Sequence, residues 1–177
     1  MINIKLDDSQ ISINDDCRSK KSILERLSLL LSKSSGISTD EIFTGLYERE
    51  KLGSTSVGNG VAIPHARIKG INHPFISVII LDNPIDFDNI DNLDVDIVVC
   101  LIVPSEETEN HLTLLASLSE ILDNISNRKK LRSARNTEEI LHCLESTDLI
   151  FIFVPSIVQT PIKSPLARMP SGLIPLP

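Results

Sequence analysis

Apolar residues recur at helical spacing over Arg18–Ser34, where Ile23, Leu24, Leu27, Leu30 and Leu31 fall on one face. A second helix starts at Ser38. Ser38 and Glu41 have the spacing of a capping box, and Ile37 with Ile42 that of a hydrophobic staple. Ile42, Phe43 and Leu46 supply its apolar stripe, and Gly53 is the expected stop. Two strands follow. Phe75–Leu81 is rich in β-branched residues and runs into the turn signal Asp82-Asn83-Pro84. Val95–Val103 is almost continuously apolar, as expected of a strand buried on both faces, and Pro104-Ser105 ends it. A long helix is expected over 106–124, with Leu112, Leu115, Leu118, Ile121 and Leu122 turned inward. A shorter one covers Asn127–Ser133. Thr137 caps a last helix carrying Ile140, Leu141 and Leu144. Helices mixed with buried strands predict an α/β fold in which helices cover a sheet.

The end of the chain breaks this pattern. From Leu149 to Pro177 there is no Asp or Glu, and six of the ten prolines lie between Pro155 and Pro177. Proline at that density excludes helices and central strands. Residues 1–148 are therefore read as the folded domain and 149–177 as a Pro-rich, extended tail, with 149–154 able to add an edge strand.

With 177 residues and 41% hydrophobic content, the chain suffices for one domain with a sizeable core. The net charge of −7 gives no basic excess for a nucleic-acid partner. Aromatics are 3% with no Trp, so no base- or sugar-stacking platform is expected. Cys17, Cys100 and Cys143 are too scattered for a disulfide framework or a metal knuckle. No apolar run approaches the roughly twenty residues of a membrane helix, and no signal peptide opens the chain. A cytoplasmic protein without membrane insertion is expected.

Chemistry concentrates in one stretch, Glu48-Arg-Glu-Lys-Leu-Gly-Ser-Thr-Ser-Val-Gly-Asn-Gly-Val-Ala-Ile-Pro-His65-Ala-Arg67. Three of the seven glycines, Gly53, Gly58 and Gly60, lie there with Ser54, Thr55 and Ser56. Backbone N–H groups freed by glycine, hydroxyls and the fork of Arg49 suit a phosphoryl group. Pro64 restricts the backbone just before His65. The stretch is neither a Walker A loop nor a GxGxxG fingerprint, so no nucleotide site is expected. The same composition also fits an ordinary Gly/Ser loop with an incidental histidine.

The combined motif ERE-x-LGST-x-VGNG-x-A-IPHAR resembles the active-site region of phosphotransferase-system enzyme IIA domains of the fructose/mannitol/nitrogen class. The segments PIDFD-x-ID from Pro84 and LIVPSEET-x-N-HLTLLASLSEIL from Leu101 extend the resemblance over Ile11 to Ser146. Arg67 and the Phe87–Asp91 segment resemble the nitrogen-regulatory branch. The resemblance implies a central mixed sheet of about five strands with helices on both faces. It places the active site at a sheet edge, where the Gly53–His65 loop meets the start of the 106–124 helix.

It further implies that His65 is transiently phosphorylated, as a tele-phosphohistidine, by a histidine-containing phosphocarrier protein. That carrier is in turn loaded from phosphoenolpyruvate through an enzyme I. Regulated targets such as a potassium transporter or a sensor kinase are implied as partners, with no cofactor and no metal. A neutral imidazole can attack phosphorus without a separate base. By position alone His111 fits a core-edge histidine. The resemblance assigns it to orienting His65 or bonding the phosphoryl oxygens. Arg49 fits a charge complementing the end of its helix, or phosphoryl stabilisation by resemblance. Ser54 and Thr55 are phosphate donors or turn residues, and Arg67 is a weaker phosphate or docking residue. Glu50 is expected to pair with Arg49 or Lys51. His73 and His142 carry no pattern, and the acids of Asp86–Asp96 read as a solvated edge. A sugar-specific IIA component that passes its phosphoryl group to a IIB domain is the first alternative. A binding module acting without phosphorylation is the second.

Overall fold

Two helices in the N-terminal half have their first N–H groups capped by serines. Helix α1 (Lys20–Ser35) starts at Ser19, whose hydroxyl and that of Ser22 form a reciprocal capping box, two residues later than the periodicity suggests. It ends on Gly36 at φ 74°, a left-handed turn that suits glycine. Helix α2 (Thr39–Lys51) is capped as expected: the Ser38 hydroxyl accepts from the Glu41 N–H. Its C-cap is Leu52, one residue before the expected Gly53.

The computed structural model describes residues 6–89, 91–106 and 109–145. The proposed tail, 149–177, lies outside them, as does Ile90. A short 3-10 turn (Asp8–Gln10) leads into β1 (Ile11–Asp15), which pairs in parallel with β5 (Phe75–Ile85). Strand β5 pairs antiparallel with β6 (Val95–Pro104). On the far side of β6 lie β3 (Val61–Ala62) and β4 (His65–Ile68), both parallel to it, and β2 (Ser56–Gly58) pairs with β3. The result is one mixed six-stranded sheet, where the resemblance implied about five strands.

Four expectations are corrected here. The Asp82-Asn83-Pro84 signal does not end β5. The strand runs on to Ile85, which pairs with Val95, and the extra residues are absorbed as a register shift. The Gly-rich stretch is not simply a loop, because β2, β3 and β4 are cut from it. In helix α3 (Glu109–Asp123), Leu112 is 70% exposed, and Leu114 is buried in its place beside Leu118, Ile121 and Leu122. Helix α4 (Ile125–Ser133) begins at Asn124, whose side chain accepts from the Ser126 and Asn127 N–H groups. Helix α5 (Thr137–Glu145) takes a cap-type bond from Asn136, which accepts from the Glu139 N–H, so Thr137 is the first helical residue rather than the cap.

The sheet separates two apolar layers. Helices α1 and α2 cover one face, where Ile23, Leu27, Leu46 and Ile79 are buried with Ala66, Ile68 and Val98. Helices α3 to α5 cover the other, with Leu118, Leu131 and Ile140 against Ile76, Val99 and Leu101. Adjacent residues of β6 thus feed opposite layers, which is why the strand is apolar at successive positions. No helix of the described residues is long and apolar enough to cross a membrane.

Candidate functional site

Strands β3 and β4 keep one register along β6: Val61 pairs with Ile97 and Ala62 with Val98, then His65 with Leu101 and Ala66 with Ile102. Between them Ile63 turns away from β6, while the Pro64 carbonyl still accepts from the Leu101 N–H at 3.0 Å. The Ile63 N–H is diverted to the Thr55 carbonyl at 2.9 Å, and Pro64 has no N–H to offer. The Ile63 carbonyl is then turned to the histidine two residues on, and His65 Nδ1 lies 2.9 Å from it. A carbonyl only accepts, so Nδ1 carries the proton. Arg49 Nε donates to His65 Nε2 at 3.0 Å, and a guanidinium only donates, so Nε2 holds a free electron pair. Both bonds fix one tautomer of a neutral imidazole with Nε2 as its nucleophilic atom.

Alternation along β4 sorts its four residues. Ala66 and Ile68 are buried against α2, while His65 is half-buried and Arg67 exposed on the opposite side. Helix α2 comes close because position 45 is glycine: a Cβ there would stand 2.9 Å from Ile68 Cδ1 and 3.3 Å from Ala66 Cβ. That approach brings the last turn of α2 to the edge of the sheet, and Arg49 with it. Arg49 is steadied by a second bond, Nη1 to the Gly53 carbonyl at 3.1 Å.

From the other side, the first turn of α3 delivers His111. Its ring meets that of His65 edge-on, with centroids 5.4 Å apart and planes at 69°. His111 is buried, and Arg67 Nε donates to its Nδ1 at 3.4 Å. Burial lowers the pKa of His65, and the Arg49 guanidinium adds to this against the opposing pull of the Ile63 carbonyl. Burial also lowers that of His111, helped by His65, Arg67 and Arg49. Two imidazoles kept neutral beside two guanidiniums make a pocket ready for a dianion and poor at holding a cation.

Ser54 and Thr55 are near this centre, but their hydroxyls are committed. Ser54 Oγ donates to the Phe87 carbonyl at 2.7 Å, and Thr55 Oγ1 to Glu50 Oε2 at 2.6 Å. Glu50 does not pair with Arg49 or Lys51. Its buried carboxylate accepts from the Thr55 N–H at 3.1 Å and from Lys20 Nζ at 2.9 Å. Lys20 also bridges to Asp88 at 2.6 Å and lies over the Phe87 ring. Sequence reasoning missed Lys20, since it is remote in the chain and sits at the polar start of α1.

The acids of 86–96 also do more than face solvent. Asp91 accepts from the Asn59 N–H at 2.7 Å, and Asp96 takes both Nε and Nη2 of Arg132 at 2.7 Å. These bonds hold the Gly58–Gly60 turn that separates β2 from β3. His73 lies outside the site, against Phe75, and His142 is on the exposed side of α5.

Comparison with known proteins decides the family. The family model described as "Phosphoenolpyruvate-dependent sugar phosphotransferase system, EIIA 2" matches residues 5–147. The chain belongs to that EIIA 2 family. This EIIA 2 domain is 43% identical over 123 residues to the nitrogen regulatory protein of Pseudomonas aeruginosa, covering 69% of this chain and 80% of that one. Its fold matches the crystal structure of nitrogen regulatory protein IIA-Ntr from Neisseria meningitidis with a TM-score of 0.74 and 36% identity, over 77% of this chain and 93% of the other. The fold alone is shared with IIA mannitol of Escherichia coli, at a TM-score of 0.68 and 20% identity over 79% and 99% of the two chains. In the EIIA 2 domain described here, His65, Arg49, His111 and Arg67 come together from α2, β4 and α3. Ser54 and Thr55 instead brace the loop that leads to them.

Proposed function

We propose that this EIIA 2 domain is a phosphocarrier of the nitrogen-regulatory kind, in which His65 Nε2 accepts a phosphoryl group from a histidine-containing phosphocarrier protein. The observation that carries the reading is the fixed tautomer of His65, with Nδ1–H on the Ile63 carbonyl and the Nε2 lone pair facing Arg49. The Nε2 pair forms the new N–P bond as the donor's N–P bond breaks, and the donor imidazole leaves with the electron pair. No proton need move and no nucleotide takes part. Positive charge develops on the His65 ring, and the Ile63 carbonyl opposite Nδ1–H steadies it. Arg49 loses its acceptor when Nε2 bonds to phosphorus. Its N–H groups then turn to the phosphoryl oxygens, as does an N–H of His111.

The phosphorylated domain carries up to about two further negative charges at one site. On a chain of net charge −7 this repels acidic surfaces and favours basic ones, which makes the phosphorylation state a switch for protein targets such as a transporter or a sensor kinase. The resemblance of the PHAR and PIDFD-x-ID segments, and the nitrogen regulatory relatives, favour this branch over sugar uptake.

The test is intact-protein mass after incubation with phosphoenolpyruvate, enzyme I and the phosphocarrier protein. One acid-labile phosphoryl adduct is expected on the native domain and none on His65→Ala. Absence of the adduct under conditions that load a control IIA domain overturns the transfer reading. Onward passage to a IIB cysteine would move the domain to the sugar-specific branch.

A further inference from the structure

His111 Nδ1 accepts its hydrogen bond from Arg67 Nε. Because a guanidinium cannot accept, Nδ1 must be the bare nitrogen, and the proton of neutral His111 sits on Nε2. That nitrogen is buried and meets no hydrogen-bond partner among the described residues, and the residue is only 7% exposed. Buried polar atoms are satisfied in the great majority of cases, so an orphaned donor signals a group held for an acceptor that comes and goes. The ring bearing it stands edge-on to that of His65, the residue that would bring such an acceptor.

We infer that Arg67 is a positioning residue for phosphoryl transfer, acting through His111 by holding it in the tautomer that offers Nε2–H to the phosphoryl oxygens. This rests on the reading that His65 carries the phosphoryl group. The geometry of β4 explains why residue 67 serves. His65 and Arg67 are two apart on one strand, so they share a face, and the long side chain of Arg67 reaches the imidazole next to His65. Without that donor, His111 is free to place its proton on Nδ1 and present a lone pair to an incoming anion, which repels it. Arg67 itself stays exposed and need not touch the phosphoryl group.

Two substitutions separate the hydrogen bond from the charge. Arg67→Ala removes the donor. Arg67→Gln keeps an N–H at the same depth, because the Gln amide nitrogen, like arginine Nε, is attached to Cδ, but it removes the charge. The first readout is the His111 tautomer in unphosphorylated protein labelled with 15N-histidine, from two-bond 1H–15N spectra at pH 7.5. Nε2–H is expected in the native and Arg67→Gln proteins, and a shift towards Nδ1–H in Arg67→Ala. The second is the phosphorylation equilibrium with the phosphocarrier protein. A drop of about tenfold is expected for Arg67→Ala, the loss of one charge-assisted bond, with partial recovery in Arg67→Gln, which restores the donor but not the charge.

Nδ1–H in the native protein, or an unchanged tautomer in Arg67→Ala, overturns the inference. So does a tautomer shift that leaves the equilibrium where it was. If native protein takes up no phosphoryl group, the underlying reading fails, and the tautomer spectra still decide what Arg67 does to His111.

Discussion

Replacing Glu50 tests whether the site is held by the buried carboxylate beneath it. Its side chain is 5% exposed and anchors the Thr55 N–H, the Thr55 hydroxyl and Lys20. Glu50→Ala strands the buried Thr55 N–H, at a cost of ~1–3 kcal/mol. It also ends the Lys20 pair, worth up to ~1 kcal/mol because Lys20 is partly exposed and keeps Asp88. The total is about 1–4 kcal/mol. Glu50→Gln keeps a carbonyl oxygen for the Thr55 N–H, and its amide can donate to the Thr55 oxygen. Only the ion pair is lost, at roughly 1 kcal/mol or less. With a urea slope of about 2 kcal/mol/M, the midpoint falls by about 0.5–2 M for Ala and by about 0.5 M at most for Gln, and always by more for Ala. The Thr55 carbonyl holds the Ile63 N–H, so the Ala variant also loosens the turn that orients His65. Equal midpoints for the two variants, or an Ala variant as stable as the native domain, would refute the reasoning.

Arg49→Lys keeps the charge but loses the fork that meets both His65 and the Gly53 carbonyl. The extent of His65 phosphorylation should fall by about 10- to 100-fold in the mass assay, for the loss of one charge-assisted bond of ~1.5–3 kcal/mol. The depressed pKa values of His65 and His111 set a pH dependence with a definite sign. Below the ordinary histidine pKa of about 6.5, the unfolded chain takes up protons that the folded site resists. Stability therefore falls as pH drops through that value towards the lower folded values, and the histidines contribute no slope above it. Urea midpoints at pH 7.5 and 5.5 should show a smaller acid loss in His111→Gln than in the native domain. Two glycine-to-alanine changes should differ. Gly36 sits at φ 74° in open space, so the cost is about 1 kcal/mol of backbone strain. Gly60, at φ 77°, would drive a Cβ to 2.6 Å from Arg132 Nη2 and 3.3 Å from the Asp94 carbonyl, adding ~1–3 kcal/mol in the same denaturation measurement.

The helices of the N-terminal half were legible because their caps are local: Ser38 and its apolar stripe act within one turn. Strand β6 was legible because burial on both faces leaves a continuous apolar run. Strands β2 to β4 were not. Each is two to four residues long, and a pattern of period two needs more positions than that to register. Strand β1, with Asn14 in a left-handed conformation and a polar outer side, was equally silent. In α3 an apolar residue at position 112 and a histidine at 111 invert the usual rule, since the histidine is buried and the leucine exposed. Periodicity alone assigns Leu112 to the core. The family's histidines and Arg49 could be named from the motif, whereas the commitments of Glu50, Thr55 and Lys20 depend on contacts between distant segments and need the fold.

The most direct test of the central claim is the site of attachment in the phosphorylated domain, read from 1H–15N spectra of 15N-histidine-labelled protein. The account predicts phosphorus on Nε2 of His65, with the Nδ1 proton retained and protected by the Ile63 carbonyl. Attachment at Nδ1, or on another histidine, would contradict it.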